Sequence, residues 1–262
     1  MVQEKEHGYG GNMRNKKGQI TIFIILALII VVGLLFIFTL RKPVKIEVYD
    51  ENNPQSYIEQ CTKDAVEEAI EILSPQGGDI NPGGSVKYDG IDRVYLCYNN
   101  DFYKRCVNQR PLFVEHLEKE ITNFITPKVA DCFKVLEMKL EKRYEIETNN
   151  MKLVTRLYPR QITVEIDKKF KMTRGDNVVN IPKFRMNMIH PLFNFAEIGM
   201  EIANQQAQYC HFDDLGFMIL HPSFDVTSIK TGESDNIYTI KERATNQQFV
   251  FATRSCLLPP GF

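Results

Sequence analysis

Cys210-His211-Phe212-Asp213-Asp214 sets a thiol, an imidazole and two carboxylates within five consecutive residues. Nucleophilic cysteine chemistry uses that set, but it needs a base within hydrogen-bond reach of the sulfur and a third group to orient the base. Side chains adjacent in sequence diverge, so the cluster does not make a nucleophile by itself, and a disulfide at Cys210 would exclude one. His190-Pro191 and His221-Pro222 repeat a pair that, with His211, would hold a metal only if the fold brought all three together. Each pair reads more simply as a strand ending before a Pro-initiated turn or helix. Arg174-Gly175-Asp176 matches a cell-adhesion tripeptide, yet its setting is that of an ordinary turn. Glu67, Glu68 and Glu71 read as a solvated helix face. Gly77-Gly78 and Gly83-Gly84 lack the Lys-Ser/Thr of a phosphate loop and read as flexible loop. No catalytic residue, metal ligand or cofactor site is assigned from these patterns.

The cysteines say more. All six, at positions 61, 97, 106, 132, 210 and 256, follow a long apolar run near the amino end, and none forms a Cys-x-x-Cys pair. Zinc-ribbon and thioredoxin-like spacings are therefore absent. An even set beyond such a run points to disulfides in an oxidising space. Of the fifteen connectivities open to six cysteines, local context selects one. Cys97 and Cys106 bracket an Asn-Asn-Asp turn, Cys61 and Cys132 lie on two separate helices, and Cys210 ends a helix while Cys256 ends the last strand. The expected bridges are Cys61–Cys132, Cys97–Cys106 and Cys210–Cys256.

The elements that position these residues follow from periodicity. Asn53-Pro54 reads as a helix cap and first turn, followed by Ile58, Cys61, Ala65, Ala69, Ile72 and Leu73 at helical spacing. The Gly- and Pro-rich stretch to Gly90 reads as loop, and residues 92–107 as a small hairpin. A second helix starts near Pro111, and Thr126-Pro127 is expected to interrupt it and cap a continuation through Leu140. Strands are expected over 144–148 and 152–158. A long strand is expected to carry Ile162, Val164, Ile166, Phe170 and Met172 on one face. After a turn at 173–177, its return places Val178, Phe184, Met186 and Met188 together. A third helix covers 191–209, and strands resume at 216–220, 224–230, 237–243 and 249–254. This order predicts an α+β fold with a mostly antiparallel sheet and about three helices, with a possible subdivision near residue 140.

The segment from Ile20 to Leu40 has no charged residue. As a helix it would be roughly 30 Å long, the thickness of a bilayer's hydrocarbon core. Secretory signal cores are shorter and end at small residues, whereas Arg41-Lys42-Pro43 follows here. The expected organisation is a basic cytoplasmic leader (1–18), a transmembrane helix (19–40), a stalk (41–53) and an extracytoplasmic domain (54–262). Basic residues flank both ends of the apolar run, so the cysteines decide the orientation: amino end inside, domain outside. Net charge is -1, with no basic stripe, which argues against nucleic acid as a partner.

Lys16-Lys17-Gly18-Gln19-Ile20-Thr21 resembles the class III signal of archaeal type IV prepilins. That resemblance implies cleavage between Gly18 and Gln19, with the apolar segment retained. Two features depart from it: Phe23 stands where pilins carry an acidic residue, and Lys42-Pro43 stops the helix. More broadly the chain resembles a functionally uncharacterised group of archaeal single-pass membrane proteins. It shares with them Glu59-Gln60-Cys61, Gln76-Gly77-Gly78 and Pro127-Lys128-Val129-Ala130-Asp131-Cys132. The resemblance implies architecture and no activity. The leading expectation is a disulfide-stapled envelope protein with a binding or structural role. Its partners would be the bilayer and other envelope proteins, or its own copies through the membrane helix. The alternatives are a pilin-like filament subunit and an envelope hydrolase, the latter requiring a pocket where His, Asp or Glu residues converge.

Overall fold

The structure, a computed structural model, describes residues 25–31 and 53–259. Residues 25–31 are helical with exposed side chains. The leader, the Gly18–Gln19 junction, most of the expected membrane segment and stalk residues 41–52 lie outside the described residues. Among those described, no helix is long and apolar enough to cross a membrane.

The chain divides into two units, Met1–Tyr49 and Asp50–Phe262. The second is mixed α+β. Helix α1 (Pro54–Leu73) starts where Asn53 Oδ1 accepts from the Ser56 N–H at 3.2 Å, with Pro54 in the first turn. Its buried stripe is Ile58, Thr62, Ala65, Val66, Ala69, Ile70 and Leu73, one residue round from the expected one, so Cys61 sits at its edge. Helix α2 (Phe113–Leu140) runs unbroken through Pro127, which corrects the expected interruption. Proline removes one helical hydrogen bond and costs about 3 kcal/mol in a helix interior. Ile121 and Ile125 before it, and Val129, Phe133 and Leu136 after it, are all buried on one face. Each buried side chain contributes about 1.5–3 kcal/mol, so the face outweighs the lost bond. Cys61–Cys132 ties α1 to α2.

The largest sheet has the order β1-β2-β12-β11-β10, with short β3 on β2. Its strands are β1 (Ser85–Tyr88), β2 (Ile91–Tyr98), β3 (Val107–Asn108), β10 (Phe224–Lys230), β11 (Asn236–Glu242) and β12 (Gln248–Arg254). All pairings are antiparallel except β12 with β2. The first hairpin is β1–β2, turning at Asp89-Gly90, so the sheet begins inside the stretch expected to be loop.

Strands β4 (Glu145–Thr148), β5 (Lys152–Tyr158), β6 (Gln161–Asp167), β7 (Phe170–Arg174), β8 (Asn177–Ile181) and β9 (Phe184–Ile189) form two three-stranded sheets, β4-β7-β8 and β5-β6-β9. The expected long strand and its return are here a broken hairpin. Ile166 pairs with Phe184 and Phe170 with Ile181, leaving three residues on one arm against two on the other, as in a bulge. Lys168 turns towards α2, where its Nζ lies 3.3 Å from Glu137, and the Lys169 N–H donates to Asn149 Oδ1. On the return arm the phase changes at Pro182-Lys183. Val179, not Val178, therefore pairs with buried Met172. Both halves close on Phe133, whose ring centroid is 5.0 Å from Phe184 and 6.4 Å from Phe170.

Helix α3 (Leu192–Tyr209) packs on β2, β12 and α2. Residues 216–220, expected as a strand, belong instead to helix α4 (Asp214–Leu220). Asp213 Oδ1 accepts from the Gly216 N–H at 3.0 Å. That cap decides between helix and strand for a short apolar run whose period decides nothing.

Candidate functional site

The three bridges form as the cysteine context implied: Cys61–Cys132, Cys97–Cys106 and Cys210–Cys256, with no free cysteine among the described residues. Cys210 is therefore no nucleophile. Its role is a corner. It takes a left-handed φ of +59° at the end of α3 and reverses the chain into His211–Asp213 and α4. The bridge to Cys256, just past β12, pins that corner to the sheet.

A groove of about 650 Å³ opens between α3 and α4. Glu197, Glu201 and Gln205 line it from α3, one helical turn apart. Asp213, Phe217 and His221 line it from α4 and its ends. No lysine, arginine, serine, threonine, cysteine or tyrosine is in the lining. The His221 ring stacks on Phe217 at 4.3 Å. Glu201 accepts from Gln205 at 2.6 Å. Helix α4 has no buried residue: Leu215 is 68% exposed, Ile219 80% and Leu220 78%. Of these three only Leu220 lines the groove, which thus offers carboxylates, an aromatic shelf and one exposed apolar side chain. It gathers the residue types a hydrolase would need, but not their linkage. Asp213 already caps α4, and Glu201 accepts from its own helix neighbour Gln205.

Helix α3, one wall of the groove, is capped at its start by His190. Pro191 occupies the cap position of α3 and has no side-chain acceptor. His190 Nδ1 accepts from the Leu192 N–H at 3.1 Å instead. A backbone N–H only donates, so Nδ1 carries no proton and the ring is neutral. Burial pushes the His190 pKa down to about 4, against a smaller upward pull from Glu242. His190, His211 and His221 are not brought together as a ligand set. Among the described residues no three His, Cys, Asp or Glu groups are placed to hold a metal ion.

The remaining sequence candidates are structural. Arg174-Gly175-Asp176 is the β7–β8 tip, with Gly175 at φ +57°. Glu68 pairs with Lys128 at 3.0 Å and Glu67 with Lys63 at 3.9 Å, both on exposed surface. Gly77 and Gly78 are not flexible loop. Both are buried with positive φ, and a Cβ on Gly78 would lie 2.7 Å from Leu117 and 2.9 Å from Phe113. They let the chain cross α2 closely and deliver Asp79.

Asp79 was not singled out in the sequence. Its buried carboxylate accepts from His116 Nε2 at 2.6 Å and Arg110 Nη2 at 3.0 Å. Burial raises its pKa, but the hydrogen bonds and charges of His116 and Arg110 outweigh that and hold it below the ordinary range. Glu118, also buried, accepts from the Leu157 N–H at 2.9 Å and Arg156 at 2.8 Å, joining α2 to β5. The available signal was the polar pair His116 and Glu118 on either side of Leu117 in sequence.

Comparisons with protein-family models, with curated proteins and with solved structures return no match to this chain.

Proposed function

We propose that this chain is an envelope protein, anchored in the bilayer by residues 20–40, whose disulfide-stapled domain faces away from the cytosol and works by binding. The observation that carries the reading is the pairing of all six cysteines, every one of them carboxyl-terminal to the apolar run. Structural disulfides persist outside the cytosol. The groove between α3 and α4 is the binding site. Its ligand is a basic peptide segment with an apolar anchor: cationic side chains meet Glu197, Glu201 and Asp213, and the anchor lies on Phe217 and Leu220.

Two measurements test this. Protease added to intact cells digests the domain; resistance until lysis overturns the location. A labelled peptide of leucine and lysine binds the oxidised protein at low salt, and a leucine–glutamate counterpart does not. Glu197→Lys with Glu201→Lys weakens the interaction at least about tenfold, the equivalent of about 1.4 kcal/mol, and added salt weakens it in the wild type. Equal binding of both peptides, or of both proteins, overturns the groove assignment. Amino-terminal sequencing adds a separate outcome: a mature end at Gln19 would point to processing like that of a pilin.

A further inference from the structure

The loop closed by Cys97–Cys106 carries Asp101-Phe102-Tyr103-Lys104-Arg105, and all five residues are exposed. Phe102 is 51% exposed and Tyr103 62%. The loop is braced in that posture. Phe102 forms a bridge with Leu257, the Tyr103 N–H donates to Leu257 O at 2.9 Å, and the Cys256 N–H donates to Lys104 O at 2.8 Å. Tyr103 takes a φ of +59°, sparsely populated for a bulky side chain and kept only where the surroundings impose it. Leu258, one residue past Leu257, is 50% exposed. Two aromatic rings, an aliphatic side chain and two cations therefore share one corner of the six-stranded sheet. Asp101 is the loop's one carboxylate, and its 2.8 Å pair with Lys104 joins two exposed side chains, which holds them weakly. Arg105 leaves the loop net positive.

The geometry points to an anionic bilayer surface as the occupant of this corner: Phe102 and Tyr103 seat among the lipid headgroups, and Lys104 and Arg105 meet their phosphates. Amphipathic aromatic rings favour that depth, and attachment to a membrane surface combines apolar burial with attraction to anionic lipid. The groove between α3 and α4, lined by Glu197, Glu201 and Asp213, has the opposite sign. An anionic surface therefore selects the loop over the groove and leaves the groove free. This contact rests on the membrane anchor proposed for residues 20–40. The twelve residues 41–52 that join the apolar run to Asn53 reach at most about 40 Å, roughly the width of a domain of this size. A tether of that length lets any face of the domain meet the bilayer, so the chemistry of the face decides which one does. Tethering also makes the contact intramolecular, so a small patch suffices.

The sequence has no tryptophan, so one substitution places a single fluorescent reporter. Phe102→Trp and Tyr103→Trp put it in the loop, two positions guarding against a disturbance of the strained backbone at Tyr103. Val178→Trp puts it at a site of similar exposure on β8, in a separate sheet. Each full-length oxidised chain is reconstituted into phosphatidylglycerol vesicles with brominated acyl chains. Both loop reporters should be quenched several-fold more than the β8 reporter and emit at shorter wavelength. Lys104→Glu with Arg105→Glu should remove the difference while the circular dichroism spectrum stays unchanged. Chains that float with the vesicles but show equal quenching at all three positions overturn the proposal and leave the loop to solvent or to a protein partner, while the anchor stands. A chain that does not float with the vesicles overturns the anchor and this contact together. Quenching that survives reversal of both charges overturns the role of Lys104 and Arg105.

Discussion

Acidification from pH 7 to pH 4 removes stability through His190, and its share can be separated from that of the carboxylates. Its folded pKa is about 4, against about 6.5 for an unperturbed histidine. Between those values the unfolded chain binds a proton that the folded chain refuses. Stability therefore rises with pH across the window, is fully present above about pH 7, and is lost as pH falls from 6.5 towards 4. The difference of about 2.5 units corresponds to about 3 kcal/mol. The cause is structural: a proton on Nδ1 would occupy the lone pair that takes the Leu192 N–H, place a buried cation at the start of α3, and oppose the helix dipole. Asn at this position keeps an acceptor for that N–H and does not titrate. Urea unfolding of wild type and His190→Asn at pH 7 and pH 4.5, followed by the tyrosine near-ultraviolet signal, isolates the term. Carboxylates such as Asp79 also lose stability in acid, but they do so in both proteins and cancel in the comparison. The wild type should lose about 2–3 kcal/mol more than the variant. Equal losses would refute the assignment of His190 as a neutral cap.

Gly78→Ala should be severe, because φ is +100° and the new Cβ meets Leu117 and Phe113 inside van der Waals contact; a loss of about 2–4 kcal/mol in urea unfolding is expected, and a change under 1 kcal/mol would show that the corner can move. Replacing Cys210 and Cys256 by Ser opens a loop of 46 residues and, in the chain-entropy treatment, costs about 4 kcal/mol. It should also release α4 and speed proteolysis between residues 211 and 223. Replacing Cys61 and Cys132 by Ser, with a separation of 71, costs a similar amount without that cleavage. Identical cleavage patterns would mean the Cys210–Cys256 bridge does not set the groove.

Much of the architecture was legible because it follows from local chemistry. Asn53-Pro54 names its own helix start, strands β5 and β10 have the bounds that alternation gave, and the cysteine pairs followed from the elements that carry them. The misreadings share another cause. Pro127 breaks a helix locally, but a buried face on both sides overrides it. Alternation ran evenly through Ile166 and Phe170, so nothing local announced that Lys168 would leave the strand to reach Glu137. Seven mostly apolar residues at 214–220 fit either period until the Asp213 cap is considered. The groove was illegible for a further reason. Its carboxylates were visible residue by residue, but Glu197 and Glu201 meet Asp213 only because Cys210 reverses the chain.

That reversal is held by more than one bridge. The Cys256 N–H donates to Lys104 O at 2.8 Å, and the Cys106 N–H donates to Ser255 Oγ at 3.0 Å. Ser255 Oγ donates in turn to Gln206 O in the last turn of α3 at 3.1 Å. The loop closed by Cys97–Cys106, the segment after β12 and the end of α3 therefore meet at one corner of the six-stranded sheet. A bridge of nine residues' separation restrains the unfolded chain least by loop entropy, about 2–3 kcal/mol. Its larger effect is on the folded side, where it fixes the strand partner against which Ser255 and Cys256 dock. The two bridges act on shared contacts, so their contributions are coupled. The groove inherits its geometry from that corner as a whole, which is why a short helix such as α4, half-buried at Phe217 and Met218 but with no fully buried residue, keeps a defined position.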